Sequence, residues 1–138
     1  MTDSALERPH VAIVTDDLSL SHFLTEGLLF EGFWTSAVGS GLQFLEVLRL
    51  RSFDAVLLDA GIGDIAVEEV IRRMRGTSDR VDLNSPRSNM PAIVVAGLPG
   101  EIAVEAVVAS GGQLLLEPPL EIEDVGAVLK TLIGQAGM

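Results

Sequence analysis

Three aspartates stand directly after two short apolar segments, which is where side chains that do chemistry collect in parallel α/β proteins. Asp16 and Asp17 follow the apolar segment 10–15, and Asp59 closes the apolar segment 53–59. In open α/β sheets, ligands bind beyond the carboxyl ends of the strands, at the point where the strand order reverses. We therefore expect these three carboxylates to meet in a single crevice.

Three like charges in one crevice are costly unless a cation neutralises them or a proton is shared. Mg²⁺ suits such a crevice because it prefers oxygen ligands in octahedral geometry. Asp59 ends a rigid central strand and is the expected nucleophile toward phosphorus, with Asp16 and Asp17 as metal ligands. A structural alternative stays open: an aspartate after a strand often caps the following helix, and Asp16 or Asp17 could do so.

The elements that must position these aspartates follow from the alternation of apolar patterns. Five segments of strand length alternate with five longer segments at helical spacing, which predicts an α/β fold. The predicted strands are 10–15, 34–38, 53–59, 91–96 and 113–116, and the predicted helices are 19–33, 40–50, 64–75, 100–110 and 121–135. We expect a doubly wound five-stranded parallel sheet of order 2-1-3-4-5, flavodoxin-like, with helices on both faces.

The same alternation defines one domain over residues 10–136, preceded by an N-terminal tail of residues 1–9. The polar segment 76–90 is predicted to be a loop insertion, because it is long for a connection between a helix and a strand. No output domain is expected after the fifth helix.

Composition excludes several classes of function. The 138 residues carry 20 acidic and 9 basic side chains, for a net charge of −11, which disfavours a nucleic-acid partner. The chain has no cysteine, so disulfides, thiolate metal sites and thiol nucleophiles are excluded. The absence of cysteine suits a reducing cytoplasm, where we expect the protein to act. No apolar run is long enough to span a membrane, so no membrane partner is expected.

At this point the chain resembles the receiver domain of two-component response regulators, the chemotaxis-regulator-like fold. The resemblance covers residues 10–136 and is carried by VAIVTDD at 11–17, FDAVLLD at 53–59, PAIVV at 91–95 and the segment 111–118. It implies a domain that accepts a phosphoryl group from a histidine kinase at Asp59. It also implies that Asp16, Asp17, Asp59 and the backbone carbonyl of Gly61 bind Mg²⁺.

The chain departs from the family at the positions that respond to phosphorylation. Ala96 stands where the family has Thr or Ser, Leu114 where it has an aromatic residue, and Glu117 where it has a Lys before Pro118. A phosphoryl group brings a charge of about −2, which Glu117 opposes instead of neutralising. Arg87 is the candidate for a compensating cation. The family also has a cis bond before the proline that matches Pro118.

Three hypotheses stay open. The first is an atypical stand-alone receiver that acts mainly through protein–protein interaction, with a histidine kinase, a phosphotransfer protein or another signalling protein. Its predicted fourth helix is apolar on both sides, which favours a homodimer through helix 4, strand 5 and helix 5. The second is a working phospho-receiver, whose only catalysis is its own phosphorylation and dephosphorylation at Asp59.

The third hypothesis is a flavodoxin-like binder of a small anion. It is disfavoured because no glycine-rich phosphate loop follows the first strand. The two histidines, His10 and His22, have no Ser or Asp partner arranged as a catalytic triad. We expect both to be structural.

Overall fold

Short β-branched and leucine-rich segments form the strands, as expected for a parallel sheet that helices cover on both faces. The computed structural model describes residues 8–79 and 87–136. The strands are β1 (His10–Val14), β2 (Trp34–Val38), β3 (Ala55–Asp59), β4 (Ala92–Val95) and β5 (Leu114–Leu116). The helices are α1 (Leu18–Phe30), α2 (Gly41–Leu48), α3 (Val67–Arg75), α4 (Val104–Ser110) and α5 (Ile122–Ala136).

The sheet has the order β2-β1-β3-β4-β5, and every pair of neighbouring strands is parallel. This confirms the predicted fold class and strand order. The register of β1 on β3 pairs Val14 with Leu58, so the residues that follow these two strands emerge side by side. The aspartates therefore lie at the end of the sheet formed by the carboxyl ends of β1 and β3.

Alternating residues of the central strands enter two separate cores. Ala12 and Val14 face the side covered by α2, α3 and α4, while Val11 and Ile13 face the side covered by α1 and α5. All four are essentially inaccessible to solvent. Burial on both faces holds the central strands rigid, which fixes the positions of the side chains at their ends.

Helix α4 begins at Val104, four residues later than the sequence pattern predicts. Gly100 has a φ of 78°, a left-handed conformation that an α-helix does not contain. Just beyond it, the Glu101 side chain accepts hydrogen bonds from the amides of Gly97 and Leu98. The predicted first turn of the helix is therefore a separate loop between β4 and α4.

Helix α3 also begins later than predicted, because Asp64 binds outside its own helix. Its two carboxylate oxygens accept hydrogen bonds from the Gly41 amide (3.0 Å) and the Leu42 amide (2.8 Å) at the start of α2. Partial burial raises the pKa of Asp64, but these amide hydrogen bonds outweigh it and lower the pKa overall. Asp64 thus ties the loop after β3 to α2.

The predicted loop 76–90 falls partly outside the described residues, since only its ends belong to them. It starts at Gly76, whose φ of 76° ends α3, and it rejoins the fold where the Ser88 amide donates to the Met74 carbonyl (2.8 Å). Arg87 lies against Gly76. None of the helices within 8–79 and 87–136 is long and apolar enough to cross a membrane.

Glu69 on α3 forms a polar cluster that we expect to make folding stability depend on pH. Hydrogen bonds from Ser78 (2.6 Å) and Arg73 (2.7 Å) lower its pKa from 4.5 to about 2, with a further contribution from Arg72. A carboxyl whose pKa is lowered on folding stabilises the fold above its unfolded pKa and loses that effect as the pH falls toward the folded value.

We therefore predict that Glu69→Gln lowers the free energy of unfolding by about 1 kcal/mol at pH 7, measured by urea denaturation. The difference from the native chain should shrink between pH 4.5 and about 2. Glu68→Gln removes the same charge from the neighbouring position and is the control. Equal losses in the two variants would contradict a specific role for Glu69.

Candidate functional site

Asp59 is buried at the end of the central strand β3, and both of its carboxylate oxygens are hydrogen bonded. The Thr15 hydroxyl donates to Oδ2 at 2.6 Å, and the Gly61 amide donates to Oδ1 at 2.8 Å. Only 9% of Asp59 is exposed. The carboxylate is therefore held in one orientation, with Oδ1 toward the loop after β3.

Thr15 is the residue of this site that the sequence analysis missed. It follows β1 directly, is 5% exposed, and its hydroxyl oxygen also accepts a hydrogen bond from the Asp17 amide at 3.0 Å. A signal was available, because parallel pairing of β1 with β3 places the residue after Val14 beside the residue after Leu58. Thr15 thus joins the ends of the two strands that define the site.

Asp17 caps helix α1, as the structural alternative in the sequence analysis allowed. Its Oδ1 accepts hydrogen bonds from the amides of Ser19 (2.9 Å) and Leu20 (3.2 Å). An aspartate at this position satisfies amides that have no partner within the helix. Its Oδ1 belongs to the cap, and among the described residues Asp16, Asp17 and Asp59 do not form a three-carboxylate metal-binding group.

Asp16 is exposed, and its carboxylate lies over the loop after β3. Its Oδ2 is 3.4 Å from the position that a Cβ on Gly63 would occupy. Within residues 8–79 and 87–136, no three Asp, Glu or His side chains come together as a metal-binding group. Of the predicted Mg²⁺ ligands, Asp16, Asp59 and the Gly61 carbonyl are oxygen donors of the kind a hard cation prefers, and the two carboxylates would balance its charge. Magnesium binding stays a prediction.

Two of the three substituted positions, Ala96 and Glu117, follow strands at the end of the sheet that carries Asp59, whereas Leu114 begins β5 and pairs with Ile93. Ala96 follows β4 and is buried, and Leu114 on β5 is half-buried against the core under α1 and α5. Glu117 is exposed, and its Oε2 accepts a hydrogen bond from the Gly100 amide at 2.7 Å. The cis peptide bond lies between Pro118 and Pro119, one residue later than the resemblance implies.

A second glutamate, Glu101, lies at the mouth of the site and was not singled out from the sequence. Its Oε1 accepts hydrogen bonds from the amides of Gly97 (2.7 Å) and Leu98 (3.3 Å). A Cβ built on Gly61 would be 3.1 Å from Glu101 Oε2 and 3.4 Å from Asp59 Oδ1. The carboxylates of Glu101 and Asp59 therefore flank the same point of the backbone.

No arginine or lysine of the described chain forms an ion pair with these carboxylates. The suggestion that Arg87 compensates the charge is wrong, because Arg87 packs on Gly76, at the end of α3 remote from Asp59. Backbone amides, rather than cations, satisfy Glu101 and Glu117. Among the described residues, the mouth of the site is consequently acidic and carries no paired counter-charge.

The two histidines lie apart from Asp59. His10 is at the opposite end of β1, where its Nε2 contacts Ser36 Oγ at 2.6 Å and its ring packs edge-on against Phe53. Burial lowers the pKa of His10, and the nearby Arg51 lowers it further. His22 is exposed on α1, 3.0 Å from Glu26. Neither imidazole has a place in the chemistry of this site.

The chain is similar in sequence to bacterial response regulators. It is 30% identical over 88 residues to the regulatory protein VirG of Agrobacterium tumefaciens (strain 15955), covering 64% of this chain and 29% of that protein. It is 26% identical over 131 residues to the probable transcriptional regulatory protein TcrX of Mycobacterium tuberculosis, covering 93% of this chain and 51% of that protein. No family model matches the sequence.

Solved structures share the fold at low sequence identity. The CheY-like receiver domain protein from Methanospirillum hungatei JF-1 superposes with a TM-score of 0.79 at 18% identity, covering 94% of this chain and 97% of that one. A two-component response regulator from Clostridium difficile superposes with a TM-score of 0.80 at 14% identity, covering 95% of this chain and 100% of that one.

The chain therefore has the fold of CheY-like receiver domains and is similar in sequence to bacterial response regulators. The chain spans less than a third of VirG and about half of TcrX.

The hydrogen bond from Thr15 leads to a prediction about stability. Thr15→Val keeps the shape of the side chain but leaves Asp59 Oδ2 without its buried donor, which costs about 1–3 kcal/mol. Urea denaturation at pH 7 should detect this loss, while Thr15→Ser, which keeps the hydroxyl, should retain most of the native stability. A Val variant as stable as the Ser variant would show that this hydrogen bond contributes nothing.

Proposed function

We propose that this chain is an atypical receiver of two-component signalling, in which Asp59 is a weak phosphoryl acceptor and the output depends mainly on contacts with other proteins. The observation that carries the proposal is an oriented Asp59 at the end of β3 beside Glu101 and Glu117, which form no ion pair with any Arg or Lys among residues 8–79 and 87–136. Asp59 has the position of a phosphoryl acceptor, while the negative charges around it oppose the binding of a phosphoryl group.

In the proposed reaction, an Asp59 oxygen attacks the phosphorus of a phosphohistidine. The P–N bond breaks as the new P–O bond forms, which leaves an acyl phosphate on Asp59 and a free imidazole on the donor. Oδ1 is the better placed oxygen, because Oδ2 is turned inward by its short hydrogen bond to Thr15. Asp16, Asp59 and the Gly61 carbonyl would hold Mg²⁺, which would offset the charge of the transferring group.

The charge balance is the reason to expect weak acceptance. A phosphoryl group adds about −2, and two unit charges 4 Å apart repel by about 1 kcal/mol in water and about 4 kcal/mol at an effective dielectric constant of 20. Glu117 stands where the resemblance places a lysine, so an attraction is replaced by a repulsion. Ala96 also lacks the hydroxyl that the family uses at this position to contact the phosphoryl group.

A phosphorylation assay tests the proposal. Incubation with acetyl phosphate and Mg²⁺, followed by intact-mass measurement, should give a minor adduct of about +80 Da that Asp59→Asn abolishes. Glu117→Lys should raise the adduct fraction by about tenfold, because it restores an attractive charge. No adduct in either chain would remove the acceptor role. A nearly complete adduct in the native chain would instead favour a fully functional phospho-receiver.

The surface around α4 supports a role in protein contacts. Val104 and Val108 on this helix are 47% and 58% exposed, and Leu98 in the preceding loop is 69% exposed. Apolar side chains grouped on one surface are typical of interaction sites. Candidate partners are a histidine kinase, a phosphotransfer protein or a second copy of the chain through α4, β5 and α5, all in the cytoplasm.

Self-association through α4 can be tested separately. If α4 forms the dimer contact, Val108→Glu should shift the chain from dimer to monomer in size-exclusion chromatography with light scattering, because a buried unpaired charge is costly. Leu50→Glu is the matched control, since Leu50 is a highly exposed apolar residue beyond the end of α2. A native chain that is monomeric at high concentration would exclude the homodimer.

A further inference from the structure

Glu101 accepts hydrogen bonds from two backbone amides of the loop that follows β4, next to Asp59. Its Oε1 accepts from the amides of Gly97 and Leu98, which are the first two residues beyond Ala96 at the end of β4. Because β4 pairs with β3 so that Val95 lies opposite Asp59, this loop forms one wall of the Asp59 site. The two amides therefore donate to Glu101 from a loop that begins beside Asp59.

The second oxygen of Glu101 lies over the loop after β3. Glu101 Oε2 and Asp59 Oδ1 are 3.1 Å and 3.4 Å from the same point beside Gly61. A side chain at position 61 would require the Glu101 carboxylate to shift by a few tenths of an ångström. The carboxylate of Glu101 thus bridges the loop after β4 and the loop after β3, directly across the mouth of the site.

A third contact keeps this loop in place. Glu117, which follows β5, accepts a hydrogen bond from the Gly100 amide at 2.7 Å. The left-handed conformation of Gly100, with a φ of 78°, turns the chain so that Glu101 comes next at the mouth. The loop between β4 and α4 is consequently folded around two carboxylates of the protein itself.

We propose that Glu101 is a resident anion of the Asp59 site, which occupies the Gly97 and Leu98 amides and excludes phosphoryl and other small tetrahedral anions from them. The geometry of this inference rests on the loop contacts, and its functional consequence rests on the proposed acceptor role of Asp59. The Glu101 carboxylate is covalently part of the loop, so its effective concentration at these amides is high. An external anion must compete with it. Glu101 therefore sets how readily the site accepts a phosphoryl group.

Two variants separate the charge of Glu101 from its occupation of the amides. Glu101→Gln removes the charge and keeps an acceptor for Gly97, whereas Glu101→Ala removes both. Glu105→Gln is the matched control, because Glu105 is an exposed acid in the first turn of α4. In the acetyl phosphate assay with Mg²⁺, Glu101→Ala should raise the rate of adduct formation by about tenfold, Glu101→Gln by less, and Glu105→Gln not at all.

A second measurement does not depend on phosphorylation. Titration of ¹⁵N-labelled protein with inorganic phosphate should shift the Gly97 and Leu98 amide resonances in Glu101→Ala and leave them unchanged in the native chain. Equal adduct rates in the native chain and Glu101→Ala would overturn the inference and leave the acceptor role of Asp59 intact. If no chain forms an adduct, the acceptor role fails, and the titration alone decides: shifts confined to Glu101→Ala support the resident anion, and equal responses overturn it.

Discussion

The hydrogen bond between the Thr15 hydroxyl and Asp59 joins the ends of the two central strands, and the arrangement of the site follows from it. Parallel pairing brings these two residues to the same edge of the sheet, and burial of both strands on two faces leaves little freedom to move. Because the hydroxyl donates to Oδ2, the other oxygen is directed toward Gly61 and the mouth. The orientation of the Asp59 carboxylate thus depends on β1 as much as on β3.

The second determinant of the site is how its negative charge is satisfied. In the part of the chain that the structure describes, each nearby carboxylate with a recorded hydrogen bond uses backbone amides or a hydroxyl as its donor. Amide donors stabilise a carboxylate without cancelling its charge, so the potential at the mouth stays negative. The phosphoryl group proposed for Asp59 would therefore bind against this negative potential.

The acidic mouth and the apolar α4 surface belong to neighbouring parts of the molecule. The loop that holds Glu101 leads into α4, whose Val104 and Val108 are exposed. Release of Glu101 from the Gly97 and Leu98 amides would therefore affect the beginning of α4. A ligand changes such a surface only if it binds the two arrangements with different affinity. The competition proposed between Glu101 and an external anion would supply such a difference in affinity.

The period of the apolar residues was sufficient to predict the fold, because strands buried on both faces and helices buried on one face leave different patterns. Strand β2 has its predicted bounds, and the strand order is the expected one. Helix starts were less predictable: α3 and α4 begin late because Asp64 and Glu101 bind amides outside their own helices. Such contacts join residues distant in sequence or depend on loop conformation, and neither leaves a periodic signal.

The sequence by itself determined that Asp59 ends a central strand and that acidic residues collect around it, since both follow from residue type and strand position. Only the tertiary structure decided what each acid does. Asp17 caps α1, Asp16 lies over the loop after β3, and Thr15 orients Asp59. The physical reason is that a carboxylate binds whichever donors its loop brings within about 3 Å, and loop geometry is set by packing rather than by local residue pattern.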